Sequence, residues 1–435
     1  MRLRKLLHIR KNGVHIIGSL IPTFFFRSSM IMDDFVLLCE NNTVEVSLKI
    51  LNEKYSTEEY EEFRGRLCKN EKFIFIDDNK ESSVNIVDKP AKVNILTLNI
   101  TRKCNLKCSY CFESSEYRKK GNMPFEVAQR AIDTFFTNDY SDWVIIFTGG
   151  EPLLNYDLIR RVVEYVNQKK LKVEYRIKTN TILLDEAVME YLIENNFRIQ
   201  VSLDGDKKAH NAHRKFADGR GTFDIVDSKI RDLLKYNYGN NITISGTVTH
   251  QTIKYIDDSY VQLNSYNNIA HYDLKSVMPN VHDQYALSDK DYERAYVSNI
   301  KNSKYVHLKG TSLNRVWYKN ICGIGLWNIT IDVDGKIYPC YRMCGSDEFI
   351  IGDIYSLILP FKLPDRLEGI YRMENRKNCS ICALIPICKM GCYTDKLMYN
   401  MENGEECSMP IKKIINNVFQ EELIDNGMYE YLDII

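Results

Sequence analysis

The chain has 435 residues, enough for about three domains of ordinary size, and its 58 basic residues balance 58 acidic ones. A zero net charge removes the electrostatic case for a nucleic-acid partner, while 44% hydrophobic residues allow a large buried core. Thirteen cysteines in a chain this long do not fit a small disulfide scaffold, and they point to thiolates on metal in a reducing, anaerobic cytoplasm.

The first eleven residues are basic and residues 14–26 apolar, which imitates a signal peptide. Gly18, Ser19 and Pro22 interrupt that run, and it is far short of the roughly 20 residues a membrane span needs. No other stretch qualifies, so no membrane is expected. Residues 14–26 and 35–39 read as strands. Residues 43–55 and 57–68 read as helices, the second capped at Ser56 or Thr57 and carrying Tyr60, Phe63 and Leu67 at helical spacing. Residues 72–77 alternate as a strand does, and Cys39 and Cys68 read as buried free thiols.

From residue 94 the pattern is regular. Strands are expected at 94–100, 143–147, 172–178, 198–203, 241–249 and 270–277, with helices near 125–138, 156–169, 185–196, 223–236 and 254–264. Such alternation implies right-handed crossovers and a parallel sheet, with chemistry at the C-terminal ends of the strands. The loop after the first strand reads TRKCNLKCSYCFE and holds Cys104, Cys108 and Cys111. An iron–sulfur cube takes four thiolates, so three leave one iron open to a non-protein ligand; a zinc knuckle is the competing reading. After the second strand comes Thr148-Gly149-Gly150-Glu151-Pro152, whose glycines permit close backbone approach to a ligand. Lys178-Thr179-Asn180-Thr181, Ser202-Leu203-Asp204-Gly205 and Thr247-Val248-Thr249 follow the next three strands. His210, His213 and Arg214 come after Asp204, and the histidines read as loop or capping groups rather than catalysts.

The C-terminal part is rich in cysteine: Cys322, Cys340, Cys344, then Cys379-x2-Cys382-x5-Cys388-x3-Cys392 and Cys407. Counting alone leaves disulfides, zinc and iron–sulfur clusters all open. Residues 328–333 and 336–338, turned at Asp334-Gly335, read as a hairpin carrying Cys340. Residues 411–432 read as an amphipathic helix.

The CxxxCxxC loop with Tyr110 before its third cysteine, followed by GGEP and an S-x-D-G…H…R…G-T-F run, resembles the radical S-adenosylmethionine (SAM) enzymes. The cysteine array resembles their SPASM extension, which accompanies action on peptides and proteins. The resemblance implies an α/β protein with a partial (β/α)6 radical SAM barrel at 91–310, an N-terminal winged-helix-like α+β domain at 1–90 and a C-terminal SPASM domain at 311–435. It implies three [4Fe–4S] clusters, one on Cys104, Cys108 and Cys111 that also binds SAM and yields a deoxyadenosyl radical from it. Auxiliary cluster I falls to Cys322, Cys340 and Cys392, and cluster II to Cys379, Cys382, Cys388 and Cys407. Where some relatives complete cluster I this chain has Asn328, so either Cys344 supplies the fourth thiolate, which we take first, or one iron stays open to a substrate cysteine.

The resemblance further gives Gly149, Gly150, Glu151 and Pro152 to SAM's ammonium end, Ser202 and Asp204 to its ribose or carboxylate side, and Arg214 to its carboxylate. Asn180 and the Val248 backbone complete the expected cofactor contacts, although Asn180 lacks the glycine that follows it in T-N-G-T relatives. The N-terminal domain is expected to bind a leader peptide by strand addition, the alternative being a cap that packs on the barrel. Partners are then a precursor peptide and an electron donor such as flavodoxin or ferredoxin. The expected activity is maturation of a ribosomally made peptide by hydrogen abstraction, forming a cysteine thioether. Formylglycine formation, carbon–carbon crosslinking, epimerisation and non-catalytic peptide binding are the alternatives. Sulfatase maturases carry an aspartate base where this chain has Tyr341. No acid or base is singled out among Tyr341, Asp204 and Glu113.

Overall fold

The computed structural model describes residues 2–3, 6–20, 23–76, 93–114, 121–136, 143–277, 283–302, 323–325, 327–357 and 361. Cys322, Cys379, Cys382, Cys388, Cys392, Cys407 and the expected helix at 411–432 lie outside the described residues.

The N-terminal unit opens with β1 (Arg2–Leu3), then β2 (Leu7–Lys11), β3 (Val14–Leu20) and β4 (Thr23–Arg27), the last three forming an antiparallel sheet in the order β2-β3-β4. Helices α1 (Met30–Cys39), α2 (Val44–Lys54) and α3 (Thr57–Lys69) follow, and a turn of helix α4 (Glu71–Ile74) leads to β5 (Phe75–Ile76), which pairs with β1. Ser56 caps α3 in a full capping box with Glu59. Residues 35–39 are helix, not strand: Ser29 caps α1, and Ile31, Met32, Phe35 and Val36 recur at helical spacing on its buried side. Five apolar residues in a row do not separate a strand from a buried helix, and the cap decides it. The strand expected at 72–77 is likewise reduced to Phe75–Ile76 behind α4. These elements close on their own core of Ile17, Phe26, Met32, Phe35, Leu51, Phe63 and Leu67.

The second unit is the expected parallel sheet. Its strands are β6 (Ile95–Thr101), β7 (Trp143–Gly149), β8 (Val173–Thr179), β9 (Arg198–Ser202), β10 (Ile242–Val248) and β11 (His271–Ser276), each paired in parallel with the next. Helices α5 (Phe125–Phe135), α6 (Tyr156–Gln168), α7 (Glu186–Glu194), α8 (Lys207–His213), α9 (Phe223–Lys235) and α10 (Ile256–Asn264) make the crossovers, and α11 (Asp289–Asn302) packs on β11. The helices α8 and α11 were not expected, one being a seven-residue turn and the other largely charged. Leu96, Leu98 and Ile100 of β6, with Ile145 and Phe147 of β7, are fully buried on the helix-facing side. Each such side chain contributes about 1.5–3 kcal/mol of burial. Period-2 alternation turns the residues between them to the concave face.

The hairpin expected at 328–338 does more than carry Cys340. Strand β12 (Asn328–Ile331) pairs in parallel with β6, while β13 (Lys336–Tyr338) and β14 (Gly352–Asp353) extend the sheet antiparallel. Among the described residues the sheet therefore has nine strands, in the order β11-β10-β9-β8-β7-β6-β12-β13-β14. Asn328 sits in β12 with its Oδ1 accepting from Thr97 of β6 at 3.3 Å. No helix among the described residues is long and apolar enough to cross a membrane.

Candidate active site

The cysteine loop leaves β6 where the β6–β7 register slips between Asn99 and Thr101, and it turns directly over the start of the GGEP segment. Gly150 N donates to Thr101 O at 2.8 Å and Glu151 N to Lys103 O at 2.9 Å. A Cβ on Gly149 would stand 2.1 Å from Thr101 O, and one on Gly150 2.4 Å from Lys103 O. The close approach that requires glycine is thus made by the chain's own cysteine loop, where the sequence reading put a ligand.

Glu151 is fully buried and bound on three sides: Leu153 N at 3.1 Å, Thr179 Oγ1 at 2.7 Å and Asn180 N at 2.8 Å all donate to its carboxylate. Burial pushes its pKa up to about 7 against those donors. Pro152 opens a 3-10 turn over Pro152–Asn155. Asn180 faces the loop, its Nδ2 donating to Asn105 Oδ1 at 2.8 Å and lying 3.9 Å from Cys104 Sγ. Thr181 takes φ +63°, the left-handed conformation that suits the glycine it replaces.

Cys104, Cys108 and Cys111 all stand on this loop. Among the described residues no three His, Cys, Asp or Glu side chains are gathered around one point closely enough for a single metal ion. The three sulfurs still act on one another electrostatically; burial pushes Cys104 up to about 11 and Cys108 up to about 12.

A second brace comes from the far side of the sheet. Tyr110 OH donates to Asp204, which also accepts from Thr247 N at 2.8 Å and pairs with Arg214 Nε at 3.0 Å. Burial alone lowers the Arg214 pKa, but Asp204, Tyr110 and Cys108 outweigh it and the pKa is raised. Lys107 N and Ser109 N donate to the carbonyls of Lys215 and His213, lacing the cysteine loop to the end of α8. His213 links Ser109 Oγ at 2.7 Å and Thr249 Oγ1 at 2.8 Å, and His210 links Asp204 N and Thr222 Oγ1. Both histidines are supports, and burial depresses both, His210 to about 3. Ser202 ends β9 on the concave side. Val248 turns its side chain into the core and its carbonyl accepts from Val277 N.

Two features escaped the sequence reading. Arg102, two residues before Cys104, is buried against Asp332 of the β12–β13 turn, its Nε donating to Oδ1 at 3.0 Å. Asn99 Nδ2 and Val333 N donate to the same oxygen at 3.1 and 2.8 Å. A carboxylate just beyond an otherwise apolar strand was the available signal. The other feature is Lys178, whose Nζ stands 4.0 Å over the ring of Tyr341. Tyr341 in turn packs on Phe112, next to Cys111, with centroids 5.7 Å apart. Burial lowers the Lys178 pKa to about 8.

Cys340 is half-buried and Cys344 buried, one at each end of the 3-10 turn Tyr341–Met343. A cleft of about 340 Å³ lined by Trp143, Lys172, Glu174 and Asn196 lies at the opposite, N-terminal ends of β7 to β9, away from these groups.

Comparison with known proteins agrees with this geometry. Residues 98–262 match the Radical SAM superfamily. A cysteine-type anaerobic sulfatase-maturating enzyme of Clostridium novyi (strain NT) is 25% identical over 354 residues, 74% of this chain and 91% of that protein. An uncharacterized protein of Methanocaldococcus jannaschii is 30% identical over 234 residues, 50% of this chain and 79% of that protein. Among solved structures, native anSMEcpe with bound AdoMet and Kp18Cys peptide superposes with a TM-score of 0.60 at 22% identity, covering 77% of this chain and 99% of that one. Streptococcus suis SuiB bound to precursor peptide SuiA gives 0.51 at 18% identity, covering 94% of this chain and 99% of that one. The superfamily match, which spans the three-cysteine loop, together with the sequence kinship and the shared fold, makes the chain an enzyme of the radical SAM superfamily.

Proposed function

We propose that the chain is a peptide maturase that abstracts a hydrogen atom from a ribosomally made precursor and installs a cysteine thioether. The superfamily implies SAM and a [4Fe–4S] cluster, and the residues present fit both. Three soft thiol donors suit iron, one thiolate to each metal atom, and Asn105 Nδ2 is buried beside Cys104 with no partner among the described residues. When bound, the pair supplies a deoxyadenosyl radical. Cys104, Cys108 and Cys111 would hold the cluster; Gly149, Gly150, Glu151, Pro152, Asn180, Ser202, Asp204, Arg214 and the Val248 backbone would surround SAM. Glu151 and the Asp204–Arg214 pair fix the loop's position from opposite sides, and the inward-facing polar residues of β9 and β10 orient the substrate.

The observation that carries the reading is the hairpin bearing Cys340 and Cys344, built into the barrel sheet beside the strand that delivers Cys104. It supports a SPASM domain over 311–435, auxiliary clusters on the cysteines assigned above, and Cys344 as the fourth thiolate of cluster I. Cys340 and Cys344 would hold an auxiliary cluster there, which would supply a place for the electron left over when a substrate thiol and carbon join. Kinship with sulfatase-maturating enzymes favours formylglycine formation as the second reading. Against it stands Tyr341 in place of the aspartate, and anSMEcpe covers 77% of this chain where SuiB covers 94%. SuiB, described with its precursor peptide, matches nearly the whole chain, which supports residues 1–90 as the leader-binding domain. Strands β2 and β4 each have one neighbour among the described residues, leaving edges to which a strand can add.

The test is anaerobic reconstitution of wild type and of the Cys104→Ala/Cys108→Ala/Cys111→Ala variant. Roughly twelve irons are expected in the first and about eight in the second, with deoxyadenosine formed from SAM and dithionite by wild type alone. Cysteine-containing precursor peptides should then lose hydrogen and keep sulfur. Loss of sulfur would establish formylglycine chemistry instead, and absence of deoxyadenosine would sink both.

A further inference from the structure

Tyr175 and Ile177 of β8 are buried in the core, so alternation puts Glu174, Arg176 and Lys178 on the concave face of the sheet. The same rule places Arg198 of β9 and Asp273 and Lys275 of β11 on that face. Most of these charges are matched. Arg176 and Arg198 share Glu174, and Lys275 pairs with Asp273 at 3.1 Å. Lys178 has no carboxylate among the described residues; what it touches is the face of Tyr341. Among the groups that act on it, Lys275, Arg342 and Arg176 repel it and Cys340 attracts it. A half-buried ammonium set among other cations becomes more favourable when an anion arrives.

The place matters as much as the charge. Lys178 is one residue from the C-terminal end of β8, and Tyr341 bridges it to Phe112 beside Cys111. An anion held there lies at the reacting end of the barrel. Arg214, another cation at that end, already belongs to Asp204, and Lys275 to Asp273.

We propose that Lys178, set against Tyr341, anchors a carboxylate-binding subsite for the peptide substrate, so that the enzyme selects an acidic residue close to the position it modifies. The proposal rests on the peptide-maturase reading. Lys178 holds the acidic side chain, Tyr341 fixes the height of the ammonium, and the surrounding cations exclude a basic residue from the same place.

The experiment uses the reconstituted full-length enzyme with SAM and selects from a displayed library of random short peptides containing one fixed cysteine. Wild type should enrich Asp or Glu about tenfold at one or two positions near the cysteine. Lys178→Met should lose that preference, and Lys178→Glu should turn it towards Lys and Arg. Because Lys178→Met removes a half-buried charge with no carboxylate partner among the described residues at nearly constant volume, its melting temperature should be no lower than that of wild type, which excludes misfolding as the cause. Peptides selected without acidic preference, or with the same preference in Lys178→Met, overturn the subsite and leave the maturase reading standing. Failure of every variant to select any peptide overturns that reading, and the subsite with it. SAM binding by equilibrium dialysis should agree within about twofold between wild type and Lys178→Met; a loss of about tenfold assigns the ammonium to SAM's own carboxylate and overturns the substrate assignment.

Discussion

Asp332→Asn is the sharpest probe of how the C-terminal hairpin and the cysteine loop are joined. The substitution keeps shape and removes charge, leaving Arg102 with 4% of its side chain exposed and no counter-ion. At 3.0 Å the lost attraction is about 5 kcal/mol at an effective dielectric of about 20. Part of that offsets the desolvation of the carboxylate, so the expected cost is about 3–5 kcal/mol of unfolding free energy. Replacing both partners, Arg102→Met with Asp332→Leu, should recover most of the loss, because no buried charge is then stranded. The assay is anaerobic urea unfolding of the full chain followed by far-UV circular dichroism, run as a double-mutant cycle. Deoxyadenosine formation should fall at least about tenfold in Asp332→Asn, since the strand-to-loop junction before Cys104 loses its tether. A cost below about 1 kcal/mol, or a double variant whose loss is the sum of the two singles, would refute the argument that this pair locks the hairpin to the loop.

Three further outcomes follow from the same geometry. Gly150→Ala should abolish stable cluster loading, because its Cβ would meet Lys103 O at 2.4 Å; iron analysis after reconstitution checks it, and normal iron content counts against the loop packing described. Tyr110→Phe removes a hydrogen bond to the buried Asp204 carboxylate and should cost about 1.5–3 kcal/mol with the iron content retained; a stability equal to wild type would mean that bond is not made. His210 is held near pKa 3 in the fold against 6.5 when unfolded, so between those values the unfolded chain takes a proton that the folded chain refuses. Its stabilisation is complete above about pH 6.5 and is lost as the pH falls, by about 1.4 kcal/mol per unit. Unfolding at pH 5.5 and 4.5 should show nearly that slope in wild type and a flatter one in His210→Gln, and equal slopes would contradict it.

Much of the barrel was legible in the sequence because the information is local. In Val173–Thr179 the alternation of Tyr175 and Ile177 with Glu174, Arg176 and Lys178 states both that the segment is a strand and which residues face inward. The CxxxCxxC spacing and the GGEP segment located the reacting end for the same reason. A short apolar run such as residues 35–39 does not carry that information, since helix and strand bury it equally well, and the cap at Ser29 decided it.

What the sequence by itself determined is the six parallel strands of the barrel, their order, and which loop bears the three cysteines. Tertiary structure alone decided what those residues touch. Two glycines that suggested a ligand meet the backbone of Thr101 and Lys103. Asp204 and Arg214, separately expected to hold SAM, are bound to each other and to Tyr110. Asp332 reaches Arg102 across 230 positions of sequence because β12 lies down beside β6. Periodicity is set by a residue's immediate neighbours. Pairing of strands and charges so far apart is set by which sheet edge is open when the core closes, and no local pattern encodes that choice.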